Sequence, residues 1–316
     1  MERRNLGRTA VEVTELGFGT APIGNLYRSV TDAEAEAALD AAWDAGIRYF
    51  DTAPHYGLGL AEQRLGAALA GRPRADYVVS TKVGRLIEPN PAPTGSDLAA
   101  GFDVPDTLVR RSDYTRDGIR RSLDASLNRL GLDHVEIVLV HDPDTVLEQT
   151  ITESIPALIE LRDEGVVGAI GVGMNQWQAP LRVLRETDVD VIMLAGRWTL
   201  VDRSGAELVE ACGERGTSLL AAAPFNSGLL VADWPAPGAF FDYGPAPDEV
   251  LARAQALAEA ATAHRVRLPQ LAMQFALRSP AVASVVVGMR SALEVRENVA
   301  LLAAPISADA WAAVSG

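Results

Sequence analysis

The chain has 316 residues, 48% of them hydrophobic and 22% charged, enough to bury a sizeable core in one large barrel or two ordinary domains. A formal net charge of −14 argues against nucleic acid and anionic membrane surfaces as partners, because both would repel it. A single cysteine, Cys212, excludes an intrachain disulfide and a cysteine metal cluster, and its helical surroundings read as packing.

The chain begins Met-Glu-Arg-Arg-Asn-Leu-Gly-Arg, charged with no apolar run behind it, so no signal peptide is expected. No run of roughly eighteen apolar residues occurs, so no spanning helix is expected and the cytoplasm is the expected location. Residues 4–14 alternate around Leu6-Gly7-Arg8-Thr9 and predict a short β-hairpin placed to plug one end of a barrel.

Short apolar runs then recur at Leu16–Thr20, Arg48–Thr52, Tyr77–Lys82, Val135–His141, Val167–Gly173, Val189–Gly196, Ser218–Ala223 and Ser284–Gly288. They are too short for helices and apolar at consecutive positions, as strands buried on both faces are. Amphipathic segments separate them, notably Asp32–Ala45, Thr115–Leu130, Val146–Glu164 and Pro247–His264. Thr31-Asp32-Ala33-Glu34 reads as a capping box and Gly46 as the matching C-terminal stop. Two stretches break the alternation: residues 85–113, a long irregular insertion after the third strand, and the aromatic Trp234–Pro247 loop.

Eight strands with intervening helices predict a (β/α)8 TIM barrel, one domain over residues 1–316. A doubly wound open sheet is the rival, but Gly17-Phe18-Gly19-Thr20-Ala21-Pro22 lacks the spacing of a dinucleotide fingerprint.

The polar residues carry the functional signal. Thr20, Asp51, Lys82, His141, Asn175, Arg197 and Asn226 each stand at or just past the C-terminal end of a predicted strand, and in a barrel those ends converge on one face. Taken singly, each has a bland reading as a turn, a solvated charge or a packed core residue; their joint occurrence on one rim does not. Tyr56 rides the loop after Asp51. A phenol with an ordinary pKa near 10 is a poor base at neutral pH. A neighbouring ammonium, held by a carboxylate, is expected to lower it, and Lys82 and Asp51 are the right groups. His141 is expected to donate a hydrogen bond to the reacting oxygen. No side chain accepts a hydride, so redox chemistry here requires a cofactor. The four histidines His55, His134, His141 and His264 form no paired ligand motif, so no metal is expected.

The runs Tyr49-Phe50-Asp51-Thr52-Ala53-Pro54-His55-Tyr56-Gly57, Ser80-Thr81-Lys82-Val83 and Leu139-Val140-His141-Asp142, in that order, resemble the aldo-keto reductase superfamily. Further stretches, Gly171–Trp177, Leu194–Leu200 and Ala223–Leu230, resemble its branch of aldose, fucose and pyridoxal dehydrogenases. The resemblance implies NAD(P)(H) stretched across the C-terminal face and a catalytic tetrad of Asp51, Tyr56, Lys82 and His141. It further implies cofactor contacts from Gly19, Thr20, Asn175, Arg197 and the segment Phe225, Asn226, Ser227, Gly228 and Leu229. At the adenosine end it implies Gly288, Arg290, Glu294 and Asn298, and for substrate it implies His55, Trp198 and Trp234.

Two positions depart from that pattern. Glu294 stands where reductases that prefer NADP carry arginine or glutamine, which favours NAD because a carboxylate repels a 2′-phosphate. Ala222 replaces a tyrosine that stacks on the nicotinamide in many relatives, leaving Trp198 as the substitute. The implied reaction is oxidation of a sugar hemiacetal of the L-fucose or D-threo-aldose type at C1 to a lactone. The alternatives are a pyridoxal 4-dehydrogenase, a general aldehyde or ketone reductase, and a cofactor-sensing binding protein, against which the intact tetrad weighs.

Overall fold

Eight parallel strands close into a barrel in chain order: β1 (Leu16–Gly19), β2 (Tyr49–Asp51), β3 (Val78–Val83), β4 (Ile137–His141), β5 (Ala169–Met174), β6 (Val191–Ala195), β7 (Ser218–Ala222) and β8 (Val282–Gly288). Closure is the pairing of β8 with β1, from Val285↔Leu16 to Gly288↔Gly19. The structure, a computed structural model, describes residues 1–314. Nearly every strand residue is buried, because helices cover the outside while side chains fill the inside.

The interior filling explains the N-terminal segment. Arg3–Asn5 and Glu12–Thr14 pair as the expected antiparallel hairpin. Between them, Leu6 and Val11, together with Val13, enter the barrel beside Tyr49, Ile137, Val191 and Leu220. The Gly7 amide donates to Ser218 Oγ at 2.6 Å, and Ser218 opens β7, so the plug closes the end where strands begin. Burying Leu6 completely is worth about 1.5–3 kcal/mol of transfer free energy. With that end sealed, chemistry is confined to the opposite one.

The helix over Asp32–Asp44 starts as its sequence dictates. Thr31 Oγ1 accepts the Glu34 amide and the Glu34 carboxylate accepts the Thr31 amide. Thr115 caps Arg116–Leu130 with one such bond, its Oγ1 accepting the Gly118 amide. One expectation fails in detail: Val146–Glu164 is not one continuous α-helix. It is a turn at Leu147–Gln149, a π segment at Thr150–Ser154 and an α-helix at Ile155–Asp163. Pro156 has no amide to return to the preceding turn, so the helix widens there.

The irregular insertion expected over residues 85–113 is also corrected. Arg85–Pro89 pairs antiparallel with Leu108–Ser112 in full register, a hairpin standing directly on the end of β3. Its tip is ordered by Asp106, whose carboxylate accepts the Thr94 and Gly95 amides. Arg110 and Asp97 form a bidentate ion pair at 2.6–2.8 Å, and Phe102 and Val104 pack against Leu58 and Tyr56. The prolines and glycines mark the tip of this hairpin and hide its strands. The Trp234–Pro247 loop likewise holds a small pair, Phe240–Phe241 against Gly244–Pro245. Among the described residues, no helix is long and apolar enough to cross a membrane.

Candidate active site

β2 ends on Asp51 and β3 carries Lys82 one residue before its end, adjacent strands whose register brings Asp51 level with Ser80. Lys82 Nζ donates to both carboxylate oxygens of Asp51, at 2.8 and 2.9 Å, and both side chains are at least 96% buried. The same ammonium donates to the Thr52 carbonyl and to Tyr56 Oη, each at 3.0 Å. Four acceptors surround a cation with three protons, so its position is over-determined. Burial pulls the Lys82 ammonium down, but Asp51 and Tyr56 outweigh that and hold it charged, above its ordinary pKa.

Tyr56 departs from expectation in its ionisation. Burial is the strongest influence and pushes its phenol above 10; Lys82 pulls it back, and Asp51 pushes it up again. The expected lowering does not occur, because burial of the phenol outweighs the pull of Lys82 and Asp51 offsets part of that pull. In this state Tyr56 is therefore a neutral acid, matched to proton donation.

A backbone crossing fixes the tyrosine's place. Gly57 follows it at φ +64°, and a Cβ there would lie 2.3 Å from the Gly24 carbonyl oxygen. Only glycine accepts both the conformation and the contact, so the Tyr56 loop lies directly on the turn after β1.

His141 ends β4, with its ring centre 5.9 Å from that of Tyr56 and 5.6 Å from that of His55. Burial, then the charges of Arg85 and Lys82, keep His141 neutral, well below 6.5. His55 is pushed down to about 2 by burial and then by Arg85, Arg110 and Lys82. Neutral imidazoles donate hydrogen bonds without carrying charge into the pocket. The four tetrad residues are thus brought together as the sequence implied, with His55 beside them.

Several contributors were not anticipated. Ser80 Oγ donates to Asp51 Oδ1 at 2.7 Å and contacts Tyr49 Oη at 3.0 Å, extending the buried chain inward. Tyr114 Oη donates to the His141 carbonyl at 2.8 Å. Its ring fills the space beside Gly84, where a Cβ would meet the ring 2.4 Å away. Arg85 and Arg110 come from the hairpin concealed in the insertion, and Asp142 follows His141 at φ +42°. Of these, Tyr49, Ser80 and Asp142 left a signal as members of the three motif runs, whereas Arg85, Arg110 and Tyr114 left none.

The remaining expected residues line the other half of the rim. Gly19 and Gly288 are paired across β1 and β8, next to Thr20. Asn175, Arg197, Asn226 and Ser227 share a groove with Asp242 and Tyr243. Arg197 is committed to protein partners: its Nε donates to the Asn175 carbonyl at 2.9 Å, and its Nη atoms pair with Asp202 and Asp242. Phe225 to Leu229 form a tight turn with Asn226 and Ser227 left-handed and Gly228 at φ +99°. Thr20 Oγ1 and Asn226 Oδ1 are buried without hydrogen-bond partners, which is how a site looks when a polar ligand is meant to supply them. At the outer end Glu294 caps its own helix start, accepting the Arg290 amide at 2.8 Å, with Asn298 buried one turn on. The Trp198 ring packs on Phe275 at 5.4 Å, and Trp234 is exposed beside the Asp233–Arg267 ion pair. Cys212 is buried in the helix Ala206–Arg215 with its thiol pushed up to about 12, an inert packing residue.

The chain is 47% identical to a D-threo-aldose 1-dehydrogenase from a Pseudomonas species, over 95% of this chain and 92% of that protein. It is 40% identical to a pyridoxal 4-dehydrogenase from Microbacterium luteolum, over 98% of this chain and 95% of that one. The holo form of an aldo-keto reductase from Bacillus halodurans superposes with a TM-score of 0.81 at 28% identity, covering all of this chain and 95% of its own. The profile of the aldo/keto reductase family matches residues 15–316, and with the barrel and its buried tetrad this places the chain in that family, as an oxidoreductase.

Proposed function

We propose that this protein oxidises the anomeric hydroxyl of an aldose, of the D-threo or L-fucose type, to the lactone. The observation that carries the reading is the Asp51–Lys82–Tyr56 chain ending beside His141, whose neighbours Asp142 and Arg85 line an adjoining cleft of about 460 Å³ together with Tyr114. The 47% identity to an aldose dehydrogenase supports the same substrate class.

The protein's part is positioning and proton transfer. His141 donates a hydrogen bond to the oxygen on C1 and orients it toward Tyr56. Tyr56, as phenolate, takes the hydroxyl proton while the C1–H bond breaks and the C1–O bond becomes a carbonyl. Run in reverse, its neutral phenol returns that proton, with Lys82 stabilising the oxygen in both directions. A bound nicotinamide supplies the hydride acceptor. Thr20, Asn175 and the turn Phe225–Leu229 are the residues to hold it at the reacting end, and Gly288, Arg290 and Asn298 at the adenosine end. The unpartnered oxygens of Thr20 and Asn226 fit that assignment.

The reading is tested by following nicotinamide absorbance against a panel of L-fucose, other aldoses, pyridoxal and simple aldehydes. Oxidation of aldoses in preference to the rest is the expected result. Pyridoxal as the best substrate would favour a second reading, supported by the 40% identical relative.

Glu294 supports NAD over NADP, since its carboxylate sits at the start of the helix Ala292–Ala303 where a ribose phosphate would be repelled. Glu294→Arg is expected to move the ratio of cofactor efficiencies at least about 10-fold toward NADP, as roughly 1.4 kcal/mol of charge interaction changes sign. Because Glu294 also caps the Arg290 amide, weaker use of both cofactors at an unchanged ratio would show a capping role only.

A further inference from the structure

Asp142 is held in an unusual conformation for a reason that the tetrad does not explain. It lies in the left-handed region at φ +42°, a cost that persists only when the surroundings over-determine it. They do. Its amide donates to the Gly173 carbonyl at 3.0 Å, and Tyr114 Oη lies 2.8 Å from the His141 carbonyl and 3.4 Å from that of Asp142. The result is a carboxylate turned back beside the catalytic imidazole. Asp142 Oδ2 stands 3.5 Å from His141 Nε2 and accepts Arg85 Nη2 at 2.8 Å.

The rest of the cavity sets the context. Arg110 is consumed by Asp97 and the His55 carbonyl. The Arg85–Asp142 pair therefore presents both a cation and an anion at the cavity wall, each side chain about one-fifth exposed. A wall that is charged in both senses and neutral in sum has no preference for an ionic substrate. It suits a hydroxyl, which donates to the carboxylate and accepts from the guanidinium.

Distance selects which hydroxyl. An oxygen hydrogen-bonded to His141 Nε2 sits roughly 3 Å from it, and a hydroxyl on the next carbon lies roughly one further hydrogen-bond length away. Asp142 Oδ2, only 3.5 Å from Nε2, and its partner Arg85 are within reach of that second hydroxyl. We propose that Arg85 and Asp142 are specificity-determining residues that recognise the hydroxyl on the carbon adjacent to the reacting one. The enzyme then selects 2-hydroxy aldehydes and aldoses over their 2-deoxy counterparts. This rests on the proposed roles of Tyr56 and His141, and on no particular sugar.

The test compares lactaldehyde with propanal, which differ only in that hydroxyl, by kcat/KM in the reductive direction for the parent and for Asp142→Ala. The parent is expected to prefer lactaldehyde by about 10- to 100-fold, the range for a hydrogen bond to a charged group. Asp142→Ala is expected to bring that ratio close to one. A parent enzyme without the preference overturns the proposal whether or not the variant folds. So does an equal loss on both substrates, which would mean that Asp142 only positions His141. The aldose reading is separable: oxidation of an aldose and of its 2-deoxy form at equal rates would sink this proposal and leave that reading standing. Preference for lactaldehyde with no aldose oxidised would do the reverse.

Discussion

Tyr56→Phe is expected to lower kcat by about 10²–10⁴-fold while cofactor affinity stays within a few-fold of the parent. That range is what a positioned proton donor or acceptor contributes, equivalent to about 3–5 kcal/mol of barrier. The substitution removes one oxygen and little else. Phenylalanine keeps the ring contacts to Phe102 and His141, and Lys82 retains Asp51 and the Thr52 carbonyl as acceptors. Titration of nicotinamide fluorescence checks binding, and steady-state rates check turnover. Substantial turnover in the variant would remove Tyr56 from the chemistry.

The pH profile gives a second readout of the same site. Burial raises the Tyr56 phenol and keeps His141 neutral. Oxidation needs the phenolate, so its rate is expected to climb into the alkaline range. Because His141 is uncharged well below 6.5, no break is expected near the ordinary histidine value. A break there that disappeared with His141 would show that the imidazole titrates during turnover.

Lys82→Met is expected to destabilise the fold by about 3–5 kcal/mol as well as to abolish activity, the usual penalty for leaving one member of a buried ion pair alone. Without the ammonium, the buried Asp51 carboxylate keeps only Ser80 as a donor among the described residues. Its charge must then be carried unpaired or neutralised by a proton. The double variant Asp51→Asn/Lys82→Met removes the orphaned charge and is expected to recover most of the stability but none of the activity. Urea midpoints at unchanged slope measure the first effect, and nicotinamide absorbance the second. A single variant as stable as the parent would mean that water or backbone groups satisfy Asp51 unaided. Restored activity in the double variant would overturn the proton-stabilising role of Lys82.

Legibility in the sequence followed the range of the interactions. The eight strands were readable because a strand covered on both sides must be apolar at successive positions, as Ile137–Leu139 and Val191–Leu194 are. The start of the Asp32–Asp44 helix was readable because its cap is made within four residues. Asp51, Lys82 and His141 were readable because closing a barrel sends every strand end to one face, so strand position alone implies proximity. Tyr56 needed the chemistry of a lysine neighbour, and the family resemblance, to join them.

What lay beyond the sequence depends on contacts between distant residues. The strands of the 85–112 hairpin were masked by its proline-rich tip, and their pairing is secured by Arg110–Asp97 and by packing on the Tyr56 loop. The helix at 147–163 breaks into a π turn before Pro156, whose missing amide acts on the turn that precedes it. The ionisation of Tyr56 reversed its expected direction. Proximity to a lysine is a matter of spacing, whereas net field depends on burial and on Asp51 neutralising that lysine. The barrel, its sealed end and the rim positions of Asp51, Lys82 and His141 were legible from local patterning and strand position, whereas Tyr56 was not. The proposed substrate wall of Arg85, Asp142 and Tyr114 and the raised phenol of Tyr56 emerged only from the fold, because both are sums over residues that it brings together.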